Sequence, residues 1–270
     1  MNNHTYKMLV LDLDDTLLTD DHKISIENKE ALIKAQERGV YVVLASGRPT
    51  PAMLRYAEEL ELKKYGSFLV SYNGAIITDM ASGETLFEQT LTKEEVHDLH
   101  SFSQDHKVDI ITYVDGTIIS ERPSEYIDVE IGLTQMPHRI VPSFKDAVKT
   151  NMVKCIMLEE PTYLKSVADR LKAEKTDKSV SISKPFFLEV TPQGIDKAAS
   201  IARLAQRLNI DQKEIIAVGN AGNDLSMVEY AGLGVWVDNV DEALRDKADV
   251  IVSSNNDHGV SEVVYNYLLK

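Results

Sequence analysis

The chain has 270 residues, 43% hydrophobic and 27% charged, the balance of a globular protein long enough for a large core. Asp and Glu number 43 against 29 Lys and Arg, a formal net charge of −14 that argues against a nucleic-acid or anionic-membrane surface. Phosphorylated substrates stay open, because a metal and a few local cations can invert the field at one site.

Asn2, Asn3 and His4 are polar, and the short apolar run after them ends in aspartates, so no secretory leader is expected. Met8–Leu11 reads as a buried strand, central in a parallel sheet. It leads straight into Asp12 and Asp14, at the sheet mouth where α/β proteins place ligands. Residues i and i+2 on an extended chain point the same way. Two crowded carboxylates need a cation or a shared proton, and a divalent metal with oxygen ligands satisfies them. A strand-end turn with solvated aspartates accounts for this pattern equally well by itself.

Ser25 caps a helix over 26–38, with Gly39 as its stop. Val40–Ala45 is a second buried strand, ending at Ser46-Gly47-Arg48-Pro49. Pro51 opens a helix to Leu62, and Phe68–Ser71 is a third strand ending at Asn73-Gly74. This alternation is the signature of right-handed parallel units.

The middle changes character. A helix over 93–106 precedes strands at Val108–Val114 and Thr117–Ser120, joined by the hairpin signal Asp115-Gly116. His97, His100 and His106 read as solvated helix positions without metal spacing. Met152–Leu158 is a strand holding Cys155, the only cysteine, which excludes an internal disulfide and reads as a buried structural thiol. A helix over 161–173 follows, then a second hairpin at Val180–Ile182 and Phe186–Val190.

The last third returns to α/β alternation. Helices are expected over 196–208, 225–231, 240–247 and 260–269, and strands over 215–219, 232–237 and 250–252. The fold expected is α/β: a doubly wound, mainly parallel, Rossmann-like core (1–83 plus 189–270) with an inserted α+β cap (84–188). No apolar stretch approaches the ~20 residues of a membrane span, so a cytoplasmic protein is expected.

Four chain turns now carry polar residues of particular kinds. Asp12 and Asp14 end the first strand. Ser46 and Gly47 follow the second, where a hydroxyl and exposed N–H groups can hold phosphate oxygens. Lys197 starts a helix after Gly194; alone it reads as a solvated first-turn lysine. Gly219-Asn220-Ala221-Gly222-Asn223-Asp224 is a further strand-to-helix turn with an added carboxylate.

In these stretches, with Ser71-Tyr72-Asn73-Gly74-Ala75 and Asn255-Asn256-Asp257-His258-Gly259-Val260, the chain resembles the haloacid-dehalogenase-type hydrolases, in their Cof-type phosphatase branch. The resemblance spans nearly the whole chain and is nearly silent on substrate. It implies that Asp12 is a nucleophile forming an aspartyl-phosphate, and that Asp14 is the general acid and then the base. It implies Mg2+ at Asp12, the Asp14 carbonyl and a residue of the fourth motif, Asn220 or Asp224. Ser46, Gly47 and Lys197 would orient the phosphoryl oxygens. Asn223 would reach the phosphate or the metal's waters, and Arg48 and Asn73 would lie near the entrance.

The chain departs from the family pattern at Asn220, where Asp is usual, which removes one negative charge from the metal site. Asp15 stands where many members have Gly, a tolerable change in a turn. Trp236-Val237-Asp238-Asn239 replaces small residues and a Gly-Asn pair, and Trp236 reads as core packing. The function expected is Mg2+-dependent hydrolysis of small phosphorylated metabolites such as sugar phosphates or flavin mononucleotide, without a nucleic-acid or membrane partner. A phosphomutase and a phosphometabolite-binding regulator with weakened turnover are the alternatives.

Overall fold

The computed structural model describes residues 6–270, so the polar lead-in at Asn2, Asn3 and His4 lies outside the described residues. The chain forms two units: residues up to Phe87 with Asp196–Lys270, and the inserted Glu88–Ile195. Both junctions fall later than the expected 83 and 188. The strand Thr85–Glu88 joins the edge of the first sheet, and Phe187–Pro192 pairs within the second.

The first unit holds β1 (Met8–Leu11), β2 (Tyr41–Ala45), β3 (Phe68–Ser71), β4 (Ile76–Asp79) and β5 (Thr85–Glu88). The insert holds β6 (Asp109–Val114), β7 (Thr117–Ser120), β8 (His138–Ile140), β9 (Cys155–Leu158), β10 (Lys178–Lys184) and β11 (Phe187–Pro192). The chain then returns to the first unit with β12 (Ile215–Gly219), β13 (Leu233–Val237) and β14 (Val250–Val252).

The first sheet runs β14-β13-β12-β1-β2-β3-β4-β5, parallel from β14 to β3, with β4 antiparallel to β3. β1 is central, and each of its residues is fully buried because both sheet faces are covered. Leu9 and Leu11 pack on one face with Leu32, Met53 and Val260. Met8 and Val10 pack on the other with Ile201, Leu204 and Met227. Burying each such side chain contributes roughly 1.5–3 kcal/mol before chain entropy is counted. Ser25 caps the helix Ile26–Glu37 as expected, its hydroxyl accepting from Asn28 N.

Several expected elements differ locally. The helix over 51–62 is two helices, Thr50–Glu59 and Leu62–Tyr65, broken where Glu61 turns left-handed (φ 54°). Leu60 and Leu62 are both fully buried, and a two-residue spacing cannot face one side of a continuous helix. Residues 242–247 form 3-10 turns rather than an α-helix, and the terminal helix widens after Val263. Trp236 is buried in the core and its ring N–H donates to the Leu244 carbonyl.

The insert's sheet runs β10-β11-β9-β6-β7-β8, antiparallel except for β7 beside β8. Helices Lys93–Asp105 and Pro161–Glu174 bury Val96, Leu99, Leu164 and Val167 with Ile110, Met157 and Leu188. A further helix, Glu125–Thr134, escapes the sequence reading. Its apolar residues Ile127, Val129, Ile131 and Leu133 alternate, which is the period of a strand. His100 is not solvated: it is buried and stacked on Phe144 at 5.0 Å. His97 and His106 lie half-buried, each with a ring nitrogen within hydrogen-bond reach of a backbone carbonyl. No helix among the described residues is long and apolar enough to cross a membrane.

Cys155 is fully buried in β9. Burial pushes its thiol up to about 12, against a weaker opposing hydrogen bond with Thr112. Iodoacetamide should therefore leave the native protein unlabelled while labelling the urea-unfolded chain, read by mass spectrometry. Labelling of the native protein at the unfolded rate would contradict this packing.

Candidate active site

The site gathers where β1, β2, β3 and β12 end. Asp12 N donates to Val218 O at 3.0 Å, so β1 keeps its register on β12 up to this residue. The chain then makes one wide turn, Leu13–Leu17, with Asp14 extended (ψ 128°) and Asp15 left-handed (φ 57°). Asp tolerates that region better than most residues, because its short polar side chain bonds locally.

Lys197 is the first residue of the helix Lys197–Leu208, whose N-cap Asp196 accepts from Ala199 N. It is not solvated: its side chain is 0% exposed. Its Nζ donates to Asp12 Oδ1 at 2.7 Å, Asp224 Oδ1 at 2.6 Å and Ala45 O at 2.8 Å. All of the ammonium's donors thus have acceptors, which is what makes a buried charge tolerable. Burial opposes the charge on Lys197, but the Asp12 and Asp224 carboxylates outweigh it and hold its pKa above the ordinary lysine value. The Asp12 pKa is raised, first by burial and then by Asp224, with Lys197 offsetting part of the effect.

Asp224 Oδ2 accepts from the backbone N–H groups of Asn220 at 3.1 Å and Ala221 at 3.2 Å. A Cβ on Gly219 would lie 2.5 Å from the Asp224 Cβ, so only glycine lets the carboxylate tuck under the strand end. Asp224 was expected among the metal ligands. Both of its oxygens are instead engaged by protein donors and the residue is fully buried, which suits it to anchoring Lys197 and the turn.

Arg48 forks Asp14: Nε to Oδ2 is 2.8 Å and Nη2 to Oδ1 is 2.6 Å. The Arg48 side chain is 7% exposed and that of Asp14 is 41% exposed. Burial raises the Asp14 pKa, but the guanidinium bonds and charge outweigh it and hold the carboxyl below its usual range. Ser46 is buried and its Oγ accepts from Arg48 N at 3.1 Å. Asn73 N donates to Ser46 O at 2.9 Å within a turn where Tyr72, Asn73 and Gly74 all have positive φ. A Cβ on Gly47 would lie 3.1 Å from Asn73 Nδ2, and Asn223 Nδ2 reaches Asn73 Oδ1 at 3.4 Å. Gly74 (φ 108°) packs on the Asp196 carbonyl, where a Cβ would come within 2.5 Å.

The structure thus brings together Asp12, Asp14, Ser46, Gly47, Arg48, Asn73, Lys197, Asn220, Asn223 and Asp224. Sequence reasoning assigned nothing to Thr16, whose hydroxyl donates to Asn220 Oδ1 at 3.2 Å, or to the Ala45 carbonyl. It also missed His22, with Nδ1 3.7 Å from Asp14 Oδ1. Backbone acceptors and the aim of a hydroxyl leave no pattern in a sequence.

Residues 9–264 match the model of the haloacid dehalogenase-like hydrolases. The chain belongs to this family. A haloacid dehalogenase-like hydrolase of Bacteroides thetaiotaomicron superposes with a TM-score of 0.94 at 36% identity, over 97% of this chain and 99% of that one. YxeH of Bacillus subtilis, provisionally named a phosphatase, is 31% identical over 98% of this chain and 99% of its own length. YcsE of the same organism, named as a 5-amino-6-(5-phospho-D-ribitylamino)uracil phosphatase, is 28% identical over 97% of this chain and 96% of its own length. The family places the strand-end residues described above in a hydrolase.

The oxygens that fit a hard divalent cation are Asp12 Oδ2, the Asp14 carbonyl and Asn220 Oδ1. Among the described residues no hydrogen bond reaches Asp12 Oδ2, since Lys197 takes Oδ1. The same residues contain no group of three or more His, Cys, Asp or Glu side chains disposed for a metal. That follows from the donor set, which is one carboxylate, one amide and one backbone carbonyl.

Replacing Asp224 with Ala leaves Lys197 one carboxylate short and leaves two buried N–H groups without their acceptor. Asp224→Ala should lower stability by about 3–5 kcal/mol, read from the urea midpoint. Asp224→Asn, which keeps an acceptor, should lower it less.

Proposed function

We propose that the protein is a magnesium-dependent phosphatase that hydrolyses phosphomonoesters of small metabolites through an aspartyl-phosphate. The observation that carries this reading is the buried Asp12 carboxylate, bonded to the Lys197 ammonium beside the Ser46-Gly47 turn. A carboxylate placed so can attack phosphorus while a fixed cation and backbone donors face the phosphoryl oxygens.

In the first half-reaction an Asp12 oxygen forms the bond to phosphorus, and the bond from phosphorus to the ester oxygen breaks. The proton for the departing alkoxide comes from Asp14, which takes it up from solvent before the step and against the Arg48 fork that otherwise holds the carboxylate ionised. In the second half a water attacks phosphorus and gives its proton to Asp14, and the Asp12–phosphorus bond breaks. Inorganic phosphate leaves and both aspartates return to their starting state. Ser46 and the Gly47 N–H orient the phosphoryl oxygens, Lys197 offsets their charge while its three donors stay on Asp12, Asp224 and Ala45, and Asn223 reaches the same side through Asn73. Asp12, the Asp14 carbonyl and Asn220 would hold Mg2+, which supplies charge against the repulsion between carboxylate and phosphate.

Small phosphorylated metabolites are favoured over polyanions by the net charge of −14 and by the phosphoribityl compound in the name of YcsE. The motifs read only phosphate and leave the choice of leaving group unassigned. One residue favours a second reading, a phosphometabolite-binding regulator: Asn220 removes a charge from the metal set. The pair Asp12 and Asp14 favours turnover, because binding alone needs no proton-transfer partner.

Phosphate release from a panel of phosphorylated metabolites with added Mg2+ tests the proposal. Activity should appear on some members and vanish in Asp12→Asn; tight binding without release would favour the regulator. Asn220→Asp should lower the half-saturating Mg2+ concentration, and an unchanged magnesium titration would refute the role given to Asn220.

A further inference from the structure

The turn that carries Asp14 is held from outside by two asparagines to which neither the sequence motifs nor the mechanism assigns a role. Asn239 Nδ2 donates to the Asp15 carbonyl at 2.7 Å, and Asn239 Oδ1 accepts from Asn255 N at 3.0 Å. Because the oxygen of that amide faces a backbone N–H, its orientation is fixed and the nitrogen must face Asp15. Asn255 is 2% exposed, and its Nδ2 donates to Leu18 O at 3.0 Å and Asp20 Oδ1 at 3.1 Å. Asp20 N returns a bond to Asn256 Oδ1 at 3.2 Å.

These bonds fall where the chain needs them. Asp15 is in the left-handed region, so the peptide after it points away from the path of a regular turn. Leu18 opens a small hairpin through its bridge to Ile24. A carbonyl at each end of the segment is thus held by an amide from another loop, and Thr16 between them bonds Asn220.

We infer that Asn239 and Asn255 are positioning residues that aim the Asp14 carboxyl by fixing the Asp15 and Leu18 carbonyls. The inference rests on the phosphatase reading, in which Asp14 protonates the leaving oxygen. Asn239 is exposed, so altering it does not open the core. Asn239→Asp is nearly isosteric and turns a donor into an acceptor facing the Asp15 carbonyl.

The test uses the whole protein with Mg2+ and a series of substituted phenyl phosphates that differ in leaving-group acidity. A misaimed acid matters most for poor leaving groups, which need the proton early. In Asn239→Asp, kcat/KM should fall on the order of tenfold for the poorest leaving group and little for the best. Asn239→Ala should show the same trend less steeply, and both variants should keep the wild-type melting temperature within a few degrees. An equal loss across the series, or none, would overturn the inference. Wild-type protein inactive on every member, with Asp12→Asn no different, would instead overturn the phosphatase reading beneath it.

Discussion

The first unit is organised around one buried ammonium. Lys197 comes from the start of a helix, yet its Nζ lies among groups from the ends of β1, β2 and the turn after β12. An isolated ammonium there would cost several kcal/mol in desolvation. Two carboxylates and a carbonyl offset that cost only if three strand ends stop at the right height. The charge therefore fixes where the strands end, and the strand ends fix where Asp12 points.

The unusual backbone nearby follows from the same constraint. Gly219 has no side chain because Asp224 must pass beneath it to reach Lys197. The left-handed run Tyr72-Asn73-Gly74 folds the end of β3 back, so that Asn73 bonds Ser46 and Gly74 rests on the Asp196 carbonyl. Asp196 in turn caps the helix that carries Lys197. Strain at these positions stays local because each is held by a hydrogen bond to a rigid element.

Much of this was legible in the sequence, for physical reasons. β1 is fully buried, so its apolar run stands out, and the polar residues ending each core strand mark the sheet mouth. Less visible is which way a polar side chain faces. Asp224 reads as one more carboxylate for a metal, whereas its oxygens face inward to Lys197 and two backbone amides. Lys197 reads as a surface lysine until its partners, distant in sequence, are placed. In the insert, Glu125–Thr134 alternates like a strand yet is a helix, with Tyr113 donating to its buried Glu130. β4 and β5 are short and half-exposed, so neither carries an apolar run to betray it.

The charge balance gives Asn220 its meaning. Asp12, Asp224 and Lys197 together carry one net negative charge, and Asp14 with Arg48 carries none. An aspartate at 220 would add a second negative charge where a phosphate dianion has to approach. On the proposed reading, the amide would remove that repulsion and would weaken the hold on a divalent cation at the same step. Thr16 donates to Asn220 Oδ1, which turns the amide oxygen toward the β1 turn and leaves its nitrogen facing away. The neutral side chain is thus presented with the same element an aspartate would offer, an oxygen, and differs from it in charge alone. On the proposed reading, the cation would then be held mainly by Asp12, and substrate phosphate would supply the negative charge that the protein lacks. Cation and substrate would favour each other's binding more strongly here than in a site with its own second carboxylate.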